Sequence, residues 1–168
     1  MTKELTGEIE INASAEVVWK ILGEKYSEIG KWATVIKKSE PMEHIDPPEG
    51  ADAGGRSCTP LMPFVSHVNE ELTRFIPEER TFNYKATAGL PGFITNAENT
   101  WTVHAEGKDR CRVKSIGRLT LKPFPGKLIY PFFKWQLDRA GAQLFEELKY
   151  FAENGRPHPR KVKSQTTN

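Results

Sequence analysis

The chain has 168 residues, 38% hydrophobic and 27% charged, with a mean hydropathy of −0.56. That suffices for one domain with a real core and is short for two, and no apolar run approaches the ~20 residues that span a bilayer. The net charge of +2 hides an asymmetry: Arg156, Arg160, Lys161 and Lys163 fall in the last thirteen residues without an acid, and the rest stands at −2, which argues against a basic nucleic-acid-binding domain.

The opening MTKELTGEIEI lacks an apolar signal region. Without an export signal, Cys58 and Cys111 read as reduced thiols and a cytoplasmic location is expected. Residues 4–12 alternate, with Leu5, Ile9 and Ile11 on one face, and predict a first strand. Ser14 is a candidate N-cap, Glu16 belongs to a first turn, and Val17, Val18, Ile21 and Leu22 continue as an amphipathic helix. A second short helix is expected over Tyr26–Lys31, after a break at Gly23.

Six further strands follow: Val35–Ile45, Gly55–Leu61, Val65–Phe75, Arg80–Ala88, Ala97–Ala105 and Arg110–Leu121. Turn residues separate them, notably Asp46-Pro47-Pro48-Glu49-Gly50, Ile76-Pro77-Glu78-Glu79 and Glu106-Gly107-Lys108-Asp109. Short turns pair such strands antiparallel, in a sheet with one buried and one wet face. Cys111, Val113, Ser115, Gly117, Leu119 and Leu121 form the inward set of the last strand, and Phe82, Tyr84 and Ala86 that of residues 80–88.

Residues 127–153 are the longest helix candidate. Phe133, Leu137, Ala140, Leu144, Leu148 and Phe151 recur at spacings of three and four, and Phe132, Trp135 and Phe145 widen that face. So apolar a helix needs a sheet to lie on. The order predicts one α+β domain over residues 1–155. Residues 156–168, with two prolines after Asn154-Gly155, read as an extended or disordered basic tail.

EIEINASAEVVWKIL resembles the opening of the START-like superfamily, particularly its polyketide cyclase/dehydrase branch. NEELTRFIPEERTFNYKA resembles that branch's central hairpin, and NTWTV and the final helix fall where the family has them. The resemblance covers about residues 4–153 and rests on the order and spacing of these motifs. It implies a helix-grip fold, a curved antiparallel sheet of about seven strands around a long C-terminal helix with a cavity between. It also implies apolar ligands such as lipids, sterols, polyketides or plant hormones, with cyclisation, dehydration or hydrolysis in some members. Fold alone assigns no reaction.

Two loops are candidate cavity mouths: Glu49–Gly55 and Ala88–Asn96, the latter carrying apolar Leu90, Phe93 and Ile94. AGLPG also resembles the gating loop of plant abscisic-acid receptors, at a different hairpin; an ordinary turn folded onto the core is the alternative. Trp32, Phe64, Tyr84, Phe93, Trp101, Phe132 and Phe133 are placed to surround a cavity or simply to fill the core. Phe132, Phe133 and Leu137 belong to the helix end that would form its wall.

If Leu72 points inward, so does Glu70, a carboxylate suited to acid–base work unless it is paired or reaches water at a strand end. Arg56 is its candidate partner, Tyr84 could orient a ligand carbonyl, and Ser115 is small enough to leave room. His44, His67, His104 and His158 lack metal-ligand spacing and read as surface residues, and there is no GxSxG or phosphate-binding glycine loop. No cofactor, metal or nucleic acid is therefore expected. Three readings remain open: a protein binding a small hydrophobic or aromatic molecule between sheet and helix; a cyclase/dehydratase-type enzyme with Glu70 as its catalytic candidate; and an interaction module. Ligand identity and oligomeric state are not set by the sequence.

Overall fold

The computed structural model describes residues 1–62 and 65–166. β1 (Thr2–Ile11) leads to Ser14, whose extended backbone (φ −63°, ψ 152°) lets its Oγ accept from Val17 N at 3.3 Å and cap α1 (Ala15–Trp19). The chain continues through a π-turn (Lys20–Glu24) and a 3-10 helix (Tyr26–Lys31), burying Val18, Trp19, Leu22, Tyr26 and Ile29. Six strands follow: β2 (Ile36–Pro41), β3 (Gly55–Pro60), β4 (Val68–Ile76), β5 (Thr81–Ala88), β6 (Ile94–Ala105) and β7 (Cys111–Leu121).

The sheet order is β1-β7-β6-β5-β4-β3-β2, with every neighbouring pair antiparallel. Because β1 and β2 are the two edges, residues 15–31 carry the chain from one edge to the other. Register shifts between Asn69 and Glu70, and between Leu72 and Arg74, bend β4 against β5 and curve the sheet. The inward parity expected of β7 holds: Cys111, Val113, Ser115, Leu119 and Leu121 are buried, while Lys114 and Arg118 are exposed.

Some boundaries differ from expectation. β2 stops at Pro41, because Met42–Ile45 closes a turn in which Ile45 N donates to Met42 O at 3.1 Å. β4 starts three residues later than expected, with Val65 instead bridging Met62. β6 starts earlier, since Ile94 pairs with Leu121.

α2 (Gly126–Asn154) lies against the inner face. Its C-terminal half is fixed tightly. Leu148 and Glu147 are fully buried, and Leu144, Phe145 and Phe151 pack on a core that includes Trp19, Tyr26, Phe82 and Trp101. Gly7 on β1 makes the approach possible, because a Cβ there would collide with the Phe145 ring. The N-terminal half meets a separate, smaller cluster of Ile94, Leu119, Leu121 and Phe133.

Glu147 is an apolar-face position occupied by a carboxylate. Its Oε2 accepts from Thr34 N at 2.6 Å and its Oε1 from Gln143 Nε2 at 3.1 Å. The residues after α2 explain the rest. Where the sequence suggests a disordered tail, the chain forms α3 (Pro159–Thr166), and Lys161 is buried with its Nζ donating to Ile36 O at 2.8 Å. Arg160 approaches Glu146 at 2.8 Å and Glu147 at 3.3 Å, and His158 stands edge-on to the Tyr150 ring. The tail's cations thus compensate carboxylates of α2 that the sequence pattern leaves unpaired.

Glu147→Ala removes the acceptor of Thr34 N and strips Lys161 and Arg160 of their nearest buried anion. Urea denaturation should show a loss of about 3–5 kcal/mol, the usual cost of breaking a buried charge pair on one side. A loss below about 1 kcal/mol, the scale of an ordinary exposed pair, would mean that Glu147 does not anchor the helix.

Candidate functional site

Between the two packed clusters the sheet and α2 do not close. A cavity of about 270 Å³ lies there, walled by Ala86, Ile94, Ala97 and Leu119 from the sheet, by Phe133 and Leu137 from α2, and by Leu90 and Pro91 from the β5–β6 connection. A larger groove of about 570 Å³ runs between β1, β7 and α2, and shares Leu5, Asn99, Gly117 and Leu137 with the cavity. The two spaces therefore adjoin. The lining is mostly aliphatic and aromatic with a few polar side chains, the composition that holds small apolar molecules.

The polar groups form one connected set. Arg56 on β3 and Glu70 on β4 stand directly opposite one another, and Arg56 Nε donates to Glu70 Oε2 at 2.7 Å. Arg56 is buried, and its Nη1 donates to Tyr26 O at 2.8 Å. Its guanidinium lies 4.1 Å from the centre of the Tyr26 ring and 5.2 Å from that of Tyr84. The low-dielectric site thus compensates the guanidinium by a carboxylate, a carbonyl and two π faces together. Further along, Ser115 Oγ donates to Asn99 Oδ1 at 2.8 Å, and Asn99 Nδ2 donates to Tyr84 Oη at 3.5 Å.

Burial, reinforced by the Glu70 carboxylate, holds the Tyr84 phenol well above its ordinary range. At neutral pH it keeps its proton and can donate it. Burial likewise pushes the Cys58 thiol, on the cavity wall, up to about 11. A thiol so protonated is a poor nucleophile. The site therefore offers apolar walls, a neutral phenol donor and an ion-paired carboxylate.

Of the residues singled out in the sequence, Glu70, Tyr84, Leu90, Phe133 and Leu137 line the cavity. Trp101 and Ser115 line the groove. Arg56 and Trp32 border a separate void of about 20 Å³ beside Tyr84 and Trp101, room for about one water molecule. The indole N–H of Trp32 is buried there without a hydrogen-bond partner among the described residues. Phe93 supports the cavity wall from behind, its ring edge-on to Phe133 at 5.5 Å.

Two expectations are corrected. Phe132 does not line the cavity: one position before Phe133 it is turned by about 100° around the helix, and it lies exposed on the outer surface, stacked on Trp135. The Glu49–Gly55 loop does not form a mouth. Asp52 accepts from Ser27 N at 3.0 Å and Ser27 Oγ at 2.5 Å, and Asp52 N donates to Glu24 O at 2.8 Å, which ties that loop to the helical crossover. Phe64 lies outside the described residues.

Asn99 was missed by sequence reasoning, although it shares inward parity with Ala97 and Trp101 on β6. Extending the alternation argument to that strand identifies it. The sequence places Gly89 only within the Ala88–Asn96 candidate mouth. Its φ of +84°, and the His67 carbonyl that a Cβ would strike, make glycine the fitting residue at the turn that presents Leu90 to the cavity.

Several solved structures share this architecture. Norcoclaurine synthase from Thalictrum flavum, a point mutant in complex with a transition state analogue, is 23% identical with a TM-score of 0.66, covering 90% of this chain and 94% of that one. The Zhui aromatase/cyclase from Streptomyces sp. R1128 is 11% identical with a TM-score of 0.70, covering 91% and 94%. A START superfamily protein from Mycobacterium smegmatis is 14% identical with a TM-score of 0.65, covering 88% and 98%. At such identities the likeness concerns the helix-grip fold. No curated protein sequence matched the chain significantly. The profile of polyketide cyclase / dehydrase and lipid transport proteins matches residues 2–153, nearly the whole chain, and with this fold it places the protein in that family.

Proposed function

We propose that the protein binds a small hydrophobic or aromatic molecule, of the lipid or polyketide kind, in the space between the sheet and the N-terminal half of α2. The carrying observation is the cavity itself: about 270 Å³ of mostly apolar space adjoining a groove of about 570 Å³, under a helix whose C-terminal end is anchored in the core by Leu148 and Phe151. Leu119, Phe133 and Leu137 supply dispersion contact, and Tyr84 supplies one directional donor for a ligand oxygen. The family's description, cyclase or dehydrase chemistry and lipid transport, is consistent with such an occupant.

Catalysis is the second reading, favoured by one observation: Glu70 and Tyr84 stand on the same wall of the cavity. A carboxylate beside a neutral phenol can move a proton on a carbonyl compound. Against it weighs the Arg56 ion pair, which commits a Glu70 oxygen at 2.7 Å. Binding is therefore the primary reading.

The apolar fluorophore N-phenyl-1-naphthylamine tests it. Its emission should rise on titration with the protein, and Ala97→Phe, which puts a ring into the cavity, should weaken the apparent affinity at least about tenfold, the scale of losing one buried apolar side chain's worth of contact. Ala97→Leu serves if the larger side chain disturbs the circular dichroism. Equal affinity in both variants would place the probe outside the cavity and remove this reading.

Tyr84→Phe separates the directional donor from the apolar walls. Affinity for an aromatic ketone should fall by about two- to tenfold, the worth of a single neutral hydrogen bond, while affinity for the corresponding hydrocarbon stays constant. Parallel losses for both compounds would mean that Tyr84 acts by packing alone.

A further inference from the structure

The outer face of α2's N-terminal half is the least expected surface of the molecule. Phe124 is 81% exposed, Leu128 78%, Phe132 63% and Trp135 56%, and Leu61 at the end of β3 is 56% exposed beside Trp135 and Arg139. Leu128, Phe132 and Trp135 fall within about a sixth of a turn of one another around the helix axis. They form one continuous apolar stripe, with the Phe132 and Trp135 rings stacked 6.2 Å apart. Core packing does not account for it, because the same turns of helix send Phe133 and Leu137 to the opposite, inner side.

The charge along this stretch is predominantly positive. Between residues 122 and 139 there are Lys122, Lys127, Lys134 and Arg139 against the single acid Asp138, and that acid is held by Lys134 at 2.6 Å. Lys127 and Lys134 flank the stripe about 100–120° to one side, and the Arg139 guanidinium lies 6.0 Å from the Trp135 ring. Large apolar side chains flanked by cations, with a tryptophan among them, match an interface of acyl chains under anionic headgroups. A two-fold contact with a second copy would instead set cations against cations.

We propose that this face docks the protein on an anionic lipid bilayer, with Phe124, Leu128, Phe132 and Trp135 entering the headgroup boundary and the flanking lysines contacting phosphate. No helix among the described residues is long and apolar enough to cross a membrane, so the attachment is peripheral. The stripe lies on the stretch of helix whose inner side closes the cavity. An apolar ligand could thus pass between bilayer and cavity, a step that rests on the binding function proposed above; the docking itself does not.

The test uses the full chain and vesicles of phosphatidylcholine with or without phosphatidylglycerol. Trp19, Trp32 and Trp101 are buried, so a blue shift of tryptophan emission on mixing reports Trp135. Association with the anionic vesicles is expected, and L128Q/F132Q should weaken it at least about tenfold, the effect of withdrawing two large apolar side chains from the bilayer. K127E/K134E and added salt should weaken it as well. Both pairs are at exposed positions, and unchanged circular dichroism verifies their folding. No association of the wild type, or association indifferent to L128Q/F132Q, overturns the proposal. A wild-type dimer that L128Q/F132Q dissociates assigns the face to a second copy and overturns it too. Ala97→Phe separates the two functions: vesicle binding retained with fluorophore binding lost supports both, whereas vesicle binding by a protein that never takes up the fluorophore supports docking and sinks the cavity reading alone.

Discussion

Everything in this fold depends on how one end of a 29-residue helix is held. The C-terminal half of α2 is fixed by the buried Glu147 carboxylate, by Leu148 in the core and by Phe145 resting over Gly7. These contacts set the height and tilt of the helix over a curved sheet. Its N-terminal half must then stand wherever that tilt carries it, and small residues on the facing strands, Ala86, Ala97 and Gly117, do not reach across the gap. The cavity follows from anchoring at one end together with missing volume at the other.

The sheet is arranged to tolerate such an opening. An empty apolar space costs stability, at about 24 cal/mol per Å³ of cavity when side chains are removed from a packed core. The polar groups beside the cavity lie on the facing strands and the helical crossover rather than on α2. Arg56 and Glu70 face each other across β3 and β4, with Tyr26 and Tyr84 on either side, and the Ser115–Asn99–Tyr84 chain links three strands. Satisfied in this way, those groups fix the wall of the cavity in the absence of a ligand, so a molecule bound as proposed would not have to order them. Ion pairing also explains how a carboxylate and a guanidinium persist beside an aliphatic space.

Much of this was legible from alternation. The parity of residues 110–121 separates Val113, Ser115 and Leu119 from Lys114 and Arg118, and the structure has them on opposite faces. The parity of Leu72 put Glu70 inside, and the neighbouring strand supplied Arg56 as its partner, found at 2.7 Å. Periodicity failed where a feature depends on tertiary charge balance. Nothing in the pattern of residues 155–166 suggests order until Glu146 and Glu147 are known to lie beside Arg160. Nor does a greasy helix reveal which apolar residues face outward: Phe132 and Phe133 are identical in type and adjacent, yet one is solvent-exposed and the other buried. Only the position of the sheet distinguishes them.

Fold and family membership leave the occupant of the cavity to be found by chemistry. Native mass spectrometry of the purified protein, before and after incubation with a mixed lipid and polyketide extract, addresses it most directly. Ligand binding predicts a species heavier than the 19.0 kDa chain by a few hundred daltons, of the order of a drug-sized or lipid-sized ligand, released by organic solvent and absent in Ala97→Phe. Only the bare mass, in both samples and at every ligand excess, would contradict it.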